Sequence, residues 1–566
     1  MNKQTVLPWL PAATMTAIAL ALAACGGGGG GSGGSPSAAM ATANVAITDA
    51  PSDDYQHVWV TLTAIAFHTD PNAVWSSSDA SWQLMTLPSP VTVDLAQLNN
   101  GTMNNLFNNL QLPAGTYRQM RLFLAGSHDA LTNSAQQTEN GLGQPLQWND
   151  QVEYISSGTT LEAPLQIARP VQGLQLLGTF EMVAGGTLNL AVDFNLEESV
   201  VPFAHGAQTA FTMKPSLRYF DLNQSGAIVG SVDPASLCPV GAPATTCSYN
   251  LIVKAELLTA DGSRHYVARA TSVNPTTGQY VLFPIWANDS SGNALSYDVL
   301  VRGRNMDSFL IQSVGTSMGA SPTSGATSIP QVTPVNVSEY TAQLGAALAP
   351  LTSGELLFQQ TLPGNSAPYE VRWVNTDPFT GMLHLPEPLV TGPIQVAPYA
   401  ASTLSFTPVT PAEGSGAYSV AANEIAYYTL SSNSVLAAPV GSSTTFTVAS
   451  PTLDAGVVNG SVSGNLAFAS LNPAYNQCSL VIARFASIMT SVDCTSLLAT
   501  HGGAFSIANL PAGSSSERVP GAYYYAYVLL SNSASSAPAT IAPMPGFIDL
   551  RSTDSVTAFN DTVIGS

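Results

Sequence analysis

The segment Leu112-Pro113-Ala114-Gly115-Thr116-Tyr117 constrains the fold more than any other in this 566-residue chain. Pro113 fixes its own φ and Gly115 accepts positive φ, so the segment reads as strand, turn, strand. Beyond the turn, Tyr117, Gln119 and Arg121 are expected on one face, against Met120 and Leu122 on the other. The same wording returns. Leu362-Pro363-Gly364 precedes Tyr369-Glu370-Val371-Arg372-Trp373, and Leu510-Pro511-Ala512-Gly513 precedes a strand around Tyr523 to Leu530. A second recurrence matches Gly226-Ala227-Ile228-Val229-Gly230-Ser231-Val232 with Gly456-Val457-Val458-Asn459-Gly460-Ser461-Val462. With 46 Gly, 39 Pro and only 9% charged residues, short strands and turns fit this composition better than long helices. The expectation is a mainly β, multidomain chain.

The balance of 15 Lys plus Arg against 35 Asp plus Glu gives a net charge of −20, which repels polyanions; no nucleic acid partner is expected. Of five cysteines, Cys25 stands alone. Cys238 and Cys247 enclose 8 residues, and Cys478 and Cys494 enclose 15. Four cysteines permit three connectivities, and the local one needs no contact between distant parts of the chain. Neither pair has zinc-ligand spacing, so two disulfides in an oxidising compartment are expected.

Lys3 and the apolar run Ala12 to Leu22 read as a signal peptide over residues 1–24, the run being too short to span a bilayer. Leu22-Ala23-Ala24-Cys25 resembles the bacterial lipobox at all four positions. The resemblance implies cleavage before Cys25 and lipid, palmitate included, attached to it. Gly26, where Asp would signal inner-membrane retention, favours the outer membrane. The Gly/Ser-rich residues after Cys25 read as a flexible tether that ends near residue 41. An ordinary secreted protein is the alternative.

From Val45-Ala46-Ile47-Thr48-Asp49-Ala50-Pro51 and Val58-Trp59-Val60-Thr61-Leu62, the chain resembles the bacterial domain of unknown function 4382. The match continues through Asp94-Leu95, Asn100-Gly101, the Pro113 turn with Arg121-Leu122, Gly173-Leu174, Leu190-Ala191-Val192-Asp193-Phe194, Ser199-Val200-Val201 and Lys214-Pro215. It covers about residues 42–222 and implies a secreted or lipid-anchored location, with no reaction attached. The Gly226 and Gly456 openings, with the later Thr277-Gly278-Gln279-Tyr280-Val281 and Gly503-Ala504-Phe505-Ser506-Ile507, are similar to transthyretin-like, carboxypeptidase regulatory-like sandwiches. The expected architecture is therefore an N-terminal β-sandwich-like domain (42–222) followed by about three immunoglobulin-like or transthyretin-like β-sandwiches, at 223–340, 341–455 and 456–566. Ser321 to Val337 is the clearest linker, and Ser353 to Leu357 reads as a helix or an edge strand.

No catalytic constellation satisfies its own spacing rules. Gly315-Thr316-Ser317-Met318-Gly319 fits a nucleophile elbow, but the following residues cannot sustain the required helix. Asp221-Leu222-Asn223-Gln224-Ser225-Gly226 copies half of an EF-hand loop and then places Val232 where a glutamate belongs, so an Asx-type turn is expected. Asp49, Asp53 and Asp54 are weak metal candidates, the alternative being a solvated turn capped by Asp49. Asp193, Glu197 and Glu198 offer a carboxylate pair for glycoside cleavage, though Asp193 reads better as closing a sheet edge. His57, His68, His128, His205, His265, His384 and His501 are scattered. Trp59, Trp75, Trp82, Trp148 and Tyr117 supply aromatics for a sugar platform, if they are exposed. The expectation is a non-enzymatic surface protein without cofactor, binding carbohydrate or an envelope protein. A polysaccharide hydrolase and a purely structural envelope protein are the alternatives.

Overall fold

The computed structural model describes residues 39–52, 54–127, 129–156, 158–167, 170–205, 208–214, 216–237, 251–303, 306–335, 337, 339–347, 354–377, 380–384, 386–390, 393–422, 428–429, 434–437, 443–448, 452–468, 475–484, 487–514, 516–519, 522–532, 540–544, 546–559 and 562–564. The signal segment, Cys25, the tether, Cys238, Cys247, Asp53 and His128 lie outside the described residues. No described helix is long and apolar enough to cross a membrane.

Strands dominate throughout. The first unit holds β1 (Met40–Ala50), β2 (Tyr55–His68), β3 (Gln83–Asp94), β4 (Asn104–Pro113), β5 (Gly115–Leu124), β6 (Gln151–Ser156), β7 (Thr159–Gln166), β8 (Leu174–Met182), β9 (Thr187–Asn195), β10 (Val200–His205), β11 (Gln208–Met213) and β12 (Leu217–Asp221). One sheet runs β12-β9-β1-β4; the other runs β10-β11-β7-β6-β2-β5-β8, with β3 also paired to β2. Alternation puts Ala41, Ala43, Val45 and Ile47 of β1 against Val58, Val60 and Leu62 of β2 in one buried core. Two irregularities re-aim side chains. A register shift between Leu62 and Ala64 keeps Ile65 and Phe67 in the core while Ala64 and Ala66 turn outward. A second shift, between Tyr117 and Gln119, corrects the expected alternation: Tyr117 joins Met120 and Leu122 inside, and Gln119 and Arg121 face out.

The second unit contributes β13 (Ser225–Ser231), β14 (Ile252–Leu258), β15 (His265–Ser272), β16 (Gln279–Trp286), β17 (Ser296–Arg302), β18 (Ser308–Gly315) and β19 (Thr327–Ser328). Next come β20 (Glu339–Leu344), β21 (Glu355–Gln360), β22 (Tyr369–Asn375), β23 (Glu387–Val390), β24 (Ile394–Pro398), β25 (Thr407–Val409) and β26 (Ala417–Ala422). The sheets of the second unit are β16-β13-β19 and β15-β14-β17-β18-β24-β25, so the larger one straddles residue 340. β21 lies between β22 and β26, so this segment is an interior strand, neither helix nor edge. The last unit packs Val457–Phe468 and Gly502–Gly513 against a sheet centred on Gln477–Arg484 and Tyr523–Ser531, and Cys478 is disulfide-bonded to Cys494 there.

The units fold back on one another. The outer face of the last unit's sheet, Val481, Ala483, Tyr525, Tyr527 and Leu529, is buried against Phe203 and Ala210 of the β10–β11 hairpin. Ala50 of β1 packs on Val267 and Ala270 of β15. Leu300 and Leu310 of the second unit meet Leu362 and Tyr369. The first unit is thereby covered by segments from the second and the fourth.

Candidate functional site: a charged seam between the units

In β14 and β15, the alternation that sends Val253 and Ala255 into the second unit's core sends Lys254, Glu256 and Arg269 to the opposite face. Alone, that face would be solvated. Here it is buried, because the first unit and β22 lie on it, and buried charges require partners. The partners are the carboxylates that the sequence singles out.

Arg269, fully buried, donates from Nη1 to Asp193 Oδ1 and from Nη2 to Thr48 Oγ1 at 2.9 Å. Thr48 in turn reaches the carbonyl oxygens of Leu98 and Thr102. Asp193 sits on β9 between β12 and β1, so it is interior to its sheet and does not close an edge. Asp49 is in strand β1 and fully buried, which removes the expected solvated turn. Neither of its oxygens has a hydrogen-bond partner. Burial first, then the nearby Asp193 charge, hold its carboxyl well above the usual range.

A few residues on, Glu197 accepts from Lys254 Nζ at 2.7 and 3.1 Å and from the Trp373 backbone N–H at 3.2 Å. Glu198 accepts from Asn195 and Ser216 and lies 3.5 Å from Arg218. Arg372 donates to Asp54 and pairs with Glu387 at 3.0 Å. Lys214 pairs with Glu355, and burial lowers the Lys214 ammonium to about 8. On β22, Glu370 pairs with Arg264 at 3.0 Å, while its backbone N–H donates to Glu256. Burial outweighs Lys254 and Arg264 and raises Glu370 to about 7. Burial, then Glu370 itself, push Glu256 well above its ordinary value.

Asp49 and Asp193 thus share one cluster and Glu197 sits in another, but each ionised carboxylate faces a base from the same or a following unit. An acid pair free to flank a glycosidic bond is not what this arrangement provides. Asp54 accepts from Arg372, while Asp53 of the same candidate loop lies outside the described residues. Among the described residues, no group of three or more His, Cys, Asp or Glu is arranged to hold a metal ion. Ser317 lies in a turn after β18, with Thr316 bonded to the Ala227 carbonyl and no helix following. Asp221 accepts from the Asn223 N–H, as an Asx-type turn requires.

Trp59, Trp82 and Tyr117 are buried, whereas Trp75 and Trp148 are half-buried. Sequence reasoning missed one polar ladder. His57, Glu153 and Glu162 occupy facing positions on β2, β6 and β7, and Asp94 of β3 hydrogen-bonds His57. That bond is the main reason the imidazole is held above its usual value. The only sequence signal was alternation in strands far apart in the chain.

No curated protein sequence matches the chain. Among solved structures, the Bacillus anthracis TIE protein aligns at 8% identity over 95% of this chain and 76% of its own, with a TM-score of 0.15. Two B repeat units of the Staphylococcus aureus collagen-binding protein align at 8% identity over 92% and 98%, with a TM-score of 0.12. A streptococcal ancillary pilin aligns at 11% identity over 60% and 99%, with a TM-score of 0.15. Likenesses this distant carry no inference about this chain. The first unit is a different matter: residues 40–215 match the family model described as Domain of unknown function (DUF4382).

Proposed function

We propose that this chain is a non-enzymatic binding protein of the bacterial envelope, held at the outer membrane by lipid on Cys25. Its ligand is a carbohydrate or another envelope protein. The single observation that carries the non-enzymatic reading is the fate of the acidic residues. Asp193, Glu197 and Glu198, the carboxylates a hydrolase in the first unit would use, are neutralised by Arg269, Lys254 and Arg218. In this reading the domains span 42–222, 223–340, 341–455 and 456–566, with strands β24 and β25 lent to the second sandwich, and a Cys238–Cys247 disulfide complements Cys478–Cys494.

The test is an array screen of the chain from residue 42 against glycans and envelope extracts. A saturable ligand that is released unchanged supports the reading; turnover of a polysaccharide would overturn it. Replacing Cys25 by Ser should release the protein from membranes, and continued membrane association would sink the lipid anchor. Non-reducing mass spectrometry should recover the Cys238–Cys247 peptide pair; free thiols there would remove that bond.

A further inference from the structure

The segment between β2 and β3 folds back over the outer face of the first unit's larger sheet. It can do so because Ala64 and Ala66, turned outward by the β2 bulge, leave room for large rings. Trp75 and Trp82 fill that room beside Phe123 of β5. Trp75 lies 5.2 Å from Trp82 and 4.6 Å from Phe123, and His68 closes the far side 4.7 Å from Trp82.

Arg121 enters this aromatic cluster, its guanidinium carbon 5.6 Å from the Trp82 ring centre. It donates from Nε to Gln119 Oε1 at 2.8 Å and from Nη1 to the Gln172 carbonyl at 2.7 Å. The bases of the charged seam each face a carboxylate, but Arg121 is buried without one among the described residues. Burial alone accounts for its lowering to about 10. Close by, the Trp82 indole N–H is buried and has no acceptor. Two donors, one of them cationic, therefore lack an oxyanion in the same cluster.

The surroundings are held in place. Gln119 Nε2 reaches the carbonyl oxygens of Asp70, Pro71 and Ala73, which fixes both the loop and the Gln119 oxygen that orients Arg121. Trp75 is half-buried, and exposed Val74 and Leu84 lie nearby in the same loop and strand.

We propose that Arg121, Trp82 and Trp75 form a binding site for a single carboxylate carried on a sugar ring, a uronic acid residue. The guanidinium fork matches a carboxylate through paired N–H donors, the indole N–H adds another, and the Trp75 face takes the apolar side of a pyranose. The net charge of −20 repels long polyanions, which favours one uronate at the end of an otherwise neutral glycan. This inference rests on the binding reading above and specifies its ligand.

The full chain is titrated with methyl β-D-glucuronide and, in parallel, with neutral methyl β-D-glucoside, followed by calorimetry and tryptophan fluorescence. The glucuronide is expected to bind saturably and the glucoside at least tenfold more weakly. Arg121→Lys keeps the charge but loses the fork, and should weaken glucuronide binding at least tenfold. Trp75→Ala, at a half-buried position at the margin of the cluster, should weaken it as well and serves if the arginine variant fails to fold. Absence of saturable glucuronide binding, equal affinity for both sugars, or binding indifferent to the substitutions would overturn the site. If the glycan screen finds a neutral ligand while the glucuronide fails, the binding reading stands and this site falls.

Discussion

Arg269→Met removes one partner of a pair in which neither side chain is exposed. Asp193 Oδ2 already lacks a hydrogen bond, so the variant strips the remaining Oδ1 of its arginine and leaves a buried carboxylate without its ionic partner. Thr48 keeps the Leu98 and Thr102 carbonyls as acceptors and loses little. Breaking a buried pair from one side costs about 3–5 kcal/mol, which lowers the folded-to-unfolded ratio by roughly two to four orders of magnitude. Replacing both partners, as Asp193→Asn with Arg269→Met, avoids the stranded charge and should recover most of that loss. Urea denaturation of the full chain, followed by tryptophan fluorescence at neutral pH, measures all three proteins. A loss below about 1 kcal/mol for the single variant would refute the account of the seam. So would a double variant no more stable than the single one, since the penalty is attributed to the unpaired carboxylate.

Three further outcomes follow from other parts of the structure. Glu370 is raised by burial from its ordinary 4.5 to about 7, so the folded chain holds a proton there that the unfolded chain has released. The stability tied to this proton is complete below pH 4.5 and is lost as pH rises to about 7; Glu370→Gln should flatten the slope of unfolding midpoint against pH in this window, and an unchanged slope counts against it. Reducing Cys478–Cys494, or replacing both by Ser, should cost about 3 kcal/mol for a loop of this size, measured by urea denaturation. Gly278 has φ +69°, and a Cβ there would lie 1.9 Å from the Val232 carbonyl oxygen, so Gly278→Ala should destabilise the second unit by about 2–4 kcal/mol in thermal or urea unfolding.

Much of the fold was legible because strands write themselves locally. The Leu-Pro-Ala-Gly turns and the alternating runs that follow specify strand, reverse and strand from neighbouring residues alone. The seam was not legible in this way. Asp193 and Arg269, or Asp54 and Arg372, are separated by long stretches of chain, and nothing in either neighbourhood names the other. Local bulges were hidden too: the shift at Arg118 separates Tyr117 from Gln119 and Arg121 although they sit at alternating positions.

The sequence by itself determined the class: short alternating strands, turn residues between them, paired cysteines and an N-terminal segment that resembles a lipoprotein address. Alternation along β14 and β15 then sets Lys254, Glu256 and Arg269 on a face opposite the core residues Val253 and Ala255. Only the tertiary structure decided that this face would meet other units and lose its water. The physical reason is that alternation fixes which side a residue takes, and neighbouring residues suffice for that. Whether the side is wet depends on surfaces contributed by distant parts of the chain. Burial then converts ordinary surface charges into obligatory ion pairs, and it leaves Arg121 with neutral oxygens as its only acceptors among the described residues and the Trp82 indole N–H with none.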